Sequence, residues 1–98
     1  KKNRDKRLLI LVIYYVYMLK SKSKKPITYV GYTNNLKERV KRHNSGKGAK
    51  FTRGRKWTLI YKEKFISKKE AISREYYIKR NRVLRNRLKN ENFHSSTI

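Results

Sequence analysis

Two hydrophobic periods divide the chain. Over residues 9–19 both alternating sets, Ile13, Tyr15, Tyr17, Leu19 and Val12, Tyr14, Val16, Met18, are apolar or aromatic. A strand with apolar residues on both faces needs cover on both, which places it at the centre of a sheet. Residues 20–25 form a polar, lysine-rich turn, and Pro26 has no N–H for a ladder hydrogen bond. Strand pattern resumes over 27–33, predicting a hairpin with a basic tip that brings Tyr15 and Tyr17 near Tyr29. A third strand is predicted over 57–65.

Between the strands the period changes to that of a helix. Asn35 with Glu38, and Ser67 with Glu70, are capping-box pairs that open helices over 36–44 and from 67 to about 81. In the first, Leu36 and Val40 share a stripe, and Arg39 and His43 share the stripe beside it, so a half-buried guanidinium needs a partner. In the second, Ala71, Ile72 and Ile78 mark the apolar face, while Arg74, Lys79 and Arg80 fall on solvated or nucleic-acid-facing sides. A short basic helix over 82–92, with Leu84 and Leu88 packing down, and a polar tail over 93–98 complete the pattern. The predicted fold class is α+β, a small three-stranded β-sheet flanked by helices. One domain spans 1–98, with a core over about 12–82, a basic arm over 1–8, and a basic helix and tail over 83–98.

Charge changes this picture most. Lys and Arg number 29 against 6 Asp and Glu, a formal net charge of +23. Self-repulsion on this scale is relieved by a polyanion, and the cations are interleaved with Tyr, Ile, Leu and Val along the whole chain instead of forming one block. That is the pattern of a folded nucleic-acid-binding surface, with an anionic membrane surface as the lesser alternative. The absence of cysteine excludes disulfides, thiolate catalysis and cysteine-based zinc sites, and is compatible with a reducing cytoplasm. A basic leader followed by the apolar run at 8–19 imitates a signal peptide. The run is shorter than the about 20 residues that span a bilayer and ends in Lys20-Ser21-Lys22-Ser23, without a small-residue cleavage site.

Two stretches carry candidate chemistry. The loop Ser45-Gly46-Lys47-Gly48-Ala49-Lys50-Phe51-Thr52-Arg53-Gly54-Arg55-Lys56 is rich in glycine and cations but lacks the spacing and the strand-before, helix-after context of a dinucleotide or Walker fingerprint. Its glycines can serve as caps of the preceding helix, and Lys47, Lys50, Arg53 and Arg55 are candidates for phosphate contacts. Glu75 lies on its helix about 40° from Ala71 and about 60° from Ile72 and Ile78. Of the six acids it is the one expected to face a core. Burying a carboxylate requires an ion pair or a metal, and spacing leaves both open: a pair with Arg39 or another base, or a functional carboxylate.

In this order and spacing the residues resemble the GIY-YIG nuclease domain, and within it the small stand-alone YhbQ-like proteins. Tyr15-Val16-Tyr17 stands in place of Gly-Ile-Tyr and Tyr29-Val30-Gly31 for the second half-motif. The likeness continues through Thr33-Asn34-Asn35-Leu36, Arg39, His43, residues 45–53 and Glu75-Tyr76. Two departures stand out: Tyr15 occupies the family's glycine position, and only Asn81 is a candidate for a C-terminal asparagine present in several relatives. The resemblance implies a three-stranded sheet with helices that cuts DNA with one divalent metal. It implies that Glu75 holds Mg²⁺ or Mn²⁺, Arg39 stabilises charge on the phosphate, Tyr17 or Tyr29 helps activate the attacking water, and His43 supports them.

Elementary chemistry is compatible with those roles. Mg²⁺ accepts a single carboxylate and takes its remaining ligands from water and phosphate. Arg presents a planar fork to two phosphate oxygens. Tyrosine ordinarily titrates near about 10, and a cationic surround is expected to lower it. The expected function is a Mg-dependent DNA endonuclease with little sequence preference, acting on branched, damaged or single-stranded DNA in repair or recombination. The alternatives are a non-catalytic nucleic-acid-binding module on the same fold and a basic ribosome-associated protein.

Overall fold

The computed structural model describes residues 11–91. The predicted arm over 1–8 and the tail over 93–98 lie outside the described residues. Strands β1 (Tyr14–Ser21), β2 (Thr28–Thr33) and β3 (Trp57–Phe65) form one antiparallel sheet in the order β2-β1-β3. The doubly apolar strand is therefore central. Helix α1 (Leu36–Asn44) and a 3-10 turn (Lys50–Thr52) lie between β2 and β3, and α2 (Lys68–Arg80) and α3 (Arg82–Asn90) follow β3. Among the described residues no helix is long and apolar enough to cross a membrane.

The alternation of β1 divides the core in two. Tyr17 and Leu19 join Trp57 on one face, covered by Leu36 and Val40 of α1 together with Ile27, Tyr29 and Leu59. Val16 and Met18 join Val30 and Ile60 on the other, covered by Ala71 and Ile78 of α2 and Leu88 of α3. Both expected N-caps form: Glu38 N–H donates to Asn35 Oδ1 at 3.2 Å, and Glu70 N–H donates to Ser67 Oγ at 3.2 Å.

Several expectations are corrected. The described part of the central strand begins at Tyr14, with Leu11 and Val12 exposed ahead of it, and residues 9 and 10 of the expected strand lie outside the described residues. The neighbouring strands end there, since Tyr14 pairs with Phe65 and Tyr15 with Thr33 as the last rungs. Tyr15 is therefore far along the register from Tyr29, which faces Leu19, and sits under the Lys62 ammonium. Ile72 is 41% exposed. The buried arc of α2 closes on Ala71 and Ile78, leaving Ile72 on the far side of Glu75. Arg74 is not a solvated cation. Its guanidinium donates twice from Nε and once from Nη2 to Glu63 at 2.8–3.1 Å and stacks on Tyr77. Glu75 is consequently not the one acid turned inward, because Glu63 is comparably enclosed, with side-chain exposures of 17% and 20%.

Candidate active site

Helix α1 lays its Arg39–His43 stripe along the sheet face that carries Tyr17 and Tyr29. On that face Tyr17 lies opposite Gly31 and Tyr29 opposite Leu19, so the two tyrosines are diagonal neighbours with ring centroids 6.4 Å apart. The His43 ring closes the triangle at 4.9 Å from Tyr29 and 5.8 Å from Tyr17. Gly31 makes room for this cluster: a Cβ there would fall 2.6 Å from the Tyr17 hydroxyl. The glycine of the second half-motif is thus required by close approach.

A chain of hydrogen bonds sets the proton positions. Thr52 donates its hydroxyl to the Ala49 carbonyl at 2.8 Å, so its oxygen accepts from His43 Nδ1–H at 2.9 Å. His43 Nε2 is then the bare nitrogen, and it accepts from the Tyr17 hydroxyl at 2.7 Å. Tyr17, His43 and Thr52 are all fully buried. Burial, reinforced by the charge of Arg39, lowers the His43 pKa to about 4, so the imidazole is neutral at physiological pH.

Burial also corrects the expectation for tyrosine. The Tyr17 pKa is raised to about 12, with burial outweighing the opposing influence of Arg39 and with Tyr29 and Glu75 adding to the rise. The many lysines of the surface do not reverse this, because water screens charges far more at the surface than inside. Arg39 lies beside both hydroxyls, whose influence raises its pKa. Its Nε is buried and has no hydrogen-bond partner. An unpartnered buried donor on a cation is costly, and its natural complement is an anionic oxygen from outside.

Glu75 on α2 is close enough to influence Tyr17 electrostatically. The ion pair open to it with Arg39 is not formed; its carboxylate faces Lys79 at 3.4 Å, one helical turn on. Among the described residues no three His, Cys, Asp or Glu side chains cluster as metal ligands. Glu75, the carboxylate nearest this face, is compatible with an ion that takes one protein carboxylate and completes its shell with water and substrate oxygens, as Mg²⁺ commonly does. Asn81, the candidate for the C-terminal asparagine, is engaged elsewhere: its Oδ1 accepts from Leu84 N–H at 2.9 Å, capping α3.

The loop after α1 uses its first glycine as the helix cap. Gly46, with φ of 82°, ends α1 in a Schellman-type cap: Lys47 N–H donates to the Arg42 carbonyl at 2.9 Å and Gly46 N–H to that of His43 at 3.4 Å. Gly48 passes so close to His43 that a Cβ would meet its Nδ1 at 2.5 Å. Asn44 clamps Trp57, accepting from its N–H at 2.6 Å, and the Trp57 indole N–H donates to the Thr52 carbonyl at 3.0 Å. Thus anchored, the loop stacks Phe51 on Tyr29 with centroids 6.1 Å apart. Lys47, Lys50, Arg53 and Arg55 are all exposed on it.

Thr52 and Gly48 were not among the expected site residues. The only signal for them was indirect: a buried histidine that accepts on one nitrogen must donate from the other, and the next loop is where a hydroxyl had to be sought.

Comparison with known proteins agrees with the half-motifs. The family model described as the GIY-YIG catalytic domain matches residues 13–90. A UPF0213 protein of Clostridium perfringens is 57% identical over 67 residues, covering 67% of this chain and 70% of the relative. The UPF0213 protein YazA of Bacillus subtilis is 47% identical over 68 residues, covering 68% and 67%. The solution NMR structure of a UPF0213 protein from Bacillus halodurans is 37% identical, with a TM-score of 0.48 over 86% of this chain and 89% of that one. With the family model covering most of its length, this chain belongs to the GIY-YIG catalytic domain family.

Proposed function

We propose that this protein is a DNA endonuclease in which Arg39 holds the scissile phosphate, Tyr17 and His43 move the proton of the attacking water, and Glu75 holds a Mg²⁺ or Mn²⁺ ion. The observation that carries the reading is the buried Arg39 Nε without a partner, set beside a tyrosine hydroxyl that already donates to a neutral histidine. A buried donor left open on a cation suits a phosphate oxygen, whose charge would complete it.

The proton path follows from the hydrogen bonds. With its pKa at about 12, Tyr17 is un-ionised near neutrality and cannot act as a pre-formed phenolate. Its oxygen retains lone pairs, however, while its proton points at His43 Nε2. Tyr17 is fully enclosed, so its hydroxyl must first open toward the bound phosphate. As a water then attacks phosphorus, its proton passes to the Tyr17 oxygen and the Tyr17 proton to His43 Nε2, while the P–O bond to the leaving nucleoside oxygen breaks and that oxygen takes a proton from solvent, leaving tyrosine neutral and histidine protonated. Thr52 keeps His43 Nδ1–H engaged, so that Nε2 is the nitrogen free to accept. The incoming phosphate charge offsets part of the repulsion that Arg39 exerts on the new imidazolium. The divalent ion would supply charge neutralisation at the phosphate and leaving oxygen. Tyr29 packs between His43 and Phe51 and holds the imidazole in place.

The exposed cations of the loop, Lys47, Lys50, Arg53 and Arg55, suit backbone phosphates and carry no base code. That favours low sequence preference and recognition of DNA by structure, as in branched, damaged or single-stranded intermediates of repair or recombination in the cytoplasm. The test is incubation with labelled single-stranded, duplex, flap and four-way-junction DNA in Mg²⁺, Mn²⁺ and EDTA, beside Glu75→Ala. Cleavage that requires both the metal and Glu75 is expected. DNA that is bound yet left intact with every metal would replace the nuclease by a binding module.

A further inference from the structure

The outer surface of α2 and the start of α3 carry an aromatic patch that the proposed chemistry does not use. Tyr76 and Tyr77 are 58% and 50% exposed, and Ile72 and Val83 are exposed beside them. Each tyrosine carries a guanidinium on its ring: Arg80 lies 5.1 Å from the Tyr76 centroid and Arg74 5.0 Å from that of Tyr77. Arg80 Nη1 also donates to the Tyr76 hydroxyl at 2.7 Å, and Asn81 Nδ2 to the Tyr77 hydroxyl at 3.1 Å. These contacts hold the rings in fixed orientations on a rigid helix. Ser73, Tyr76, Tyr77, Arg80, Arg82 and Val83 line an open groove of about 550 Å³ there.

The helical repeat relates this patch to Glu75. Ala71 and Ile78 lie about 40° and 60° to one side of Glu75 and face the core, whereas Ile72, Tyr76 and Arg80 lie about 60°, 100° and 140° to the other. The surface leading outward from the carboxylate is therefore Lys79 and Ile72, then Tyr76, then Arg80. Exposed aromatic faces interleaved with arginine complement a polyanion that also offers flat apolar rings, namely unpaired nucleotides; duplex DNA keeps its bases stacked on each other and offers only phosphates.

We propose that Tyr76, with Ile72, Arg80 and the groove reaching Arg82, is a stacking platform for unpaired nucleotides of a single DNA strand. Arg80 fixes the Tyr76 ring and neutralises a phosphate, while a base lies on the open part of the ring. The position of the platform next to the cut rests on the nuclease reading above. It makes the substrate a DNA with a single-stranded segment beside the scissile phosphate.

The test is binding in EDTA, where no cleavage is needed. A single-stranded thymidine oligonucleotide with one 2-aminopurine, and the same label within a duplex, are titrated with the protein. Quenching of 2-aminopurine is expected in the single strand and not in the duplex. Tyr76→Ala should abolish the quenching and weaken single-strand binding about tenfold while leaving duplex binding within about twofold, and Tyr76→Phe should retain both. Equal weakening of single-strand and duplex binding by Tyr76→Ala, no weakening of either, or no quenching by the unsubstituted protein overturns the platform. A protein that cuts duplex DNA without quenching loses the platform and keeps the nuclease. One that quenches but cuts nothing in Mg²⁺ loses the nuclease and keeps the platform.

Discussion

Two charged clusters border the sheet, one around Glu63 and Arg74 and one around Arg39 and Glu75, and they satisfy their charges in opposite ways. Under α2, Glu63 is saturated: Arg74 grips both carboxylate oxygens, and the Tyr61 hydroxyl donates to one of them. Burial pushes the Glu63 pKa up, but the Arg74 and Tyr61 hydrogen bonds and the Arg74 charge outweigh it and hold the carboxyl below its usual value. Under α1, Arg39 is left with a buried Nε that has no hydrogen-bond partner, and Glu75 of α2, as enclosed as Glu63, is paired with Lys79 one turn on. Similar side chains at similar depth thus serve different ends. A saturated cluster stabilises the fold, whereas an unsatisfied buried donor costs stability, a cost that the proposed function assigns to binding a phosphate oxygen.

The largest effect that tests this contrast is kinetic. Arg39→Ala should lower the cleavage rate by roughly 10²–10³-fold, the range seen when one preorganised donor to a developing anion is removed. Chemical denaturation should show stability unchanged or slightly raised, since the variant deletes an unsatisfied donor. A large loss of stability from Arg39→Ala would make the guanidinium structural and end the comparison.

Next comes the pH dependence of unfolding. His43 is held at about 4 in the fold against an ordinary 6.5, so between these values the unfolded chain binds a proton that the folded one refuses. Stability should therefore fall as pH drops from 6.5 toward 4, by up to about 3 kcal/mol. His43→Gln should flatten that slope. Glu63 contributes with the same sign in a lower window: its pKa is depressed on folding, so its stabilisation is present above the unfolded value of about 4.5 and fades as pH falls through the folded one.

Glu63→Ala leaves Arg74 partly enclosed without its partner and should cost about 2 kcal/mol in urea unfolding, with cleavage by the folded protein little changed. The smallest effect sharpens the active-site side. Thr52→Val removes the acceptor that keeps the proton on His43 Nδ1, and should slow cleavage about tenfold, the low end for mispositioned proton transfer. Nitrogen-15 NMR of His43 should report the altered tautomer even where the fold is intact, which separates positioning from simple destabilisation.

Local physics was sufficient for the elements. The doubly apolar run, Pro26, the capping residues Asn35 and Ser67 and the four-residue spacing of Arg39 and His43 are signals between near neighbours, and each appears in the fold where the chain alone predicted it. The strand start and the inward face of α2 were less legible, because they depend on where neighbouring strands end and on which part of the helix the sheet covers. What only the tertiary structure decided was satisfaction of polar groups. That Glu63 and not Glu75 takes an arginine, that Thr52 sets the His43 tautomer, that burial raises the Tyr17 pKa against the surrounding positive charge, and that Arg39 Nε stays open all arise between residues far apart in the chain. Charge along a sequence is a sum, but the energy of a buried proton or cation depends on the few groups within hydrogen-bonding reach, and folding alone selects them.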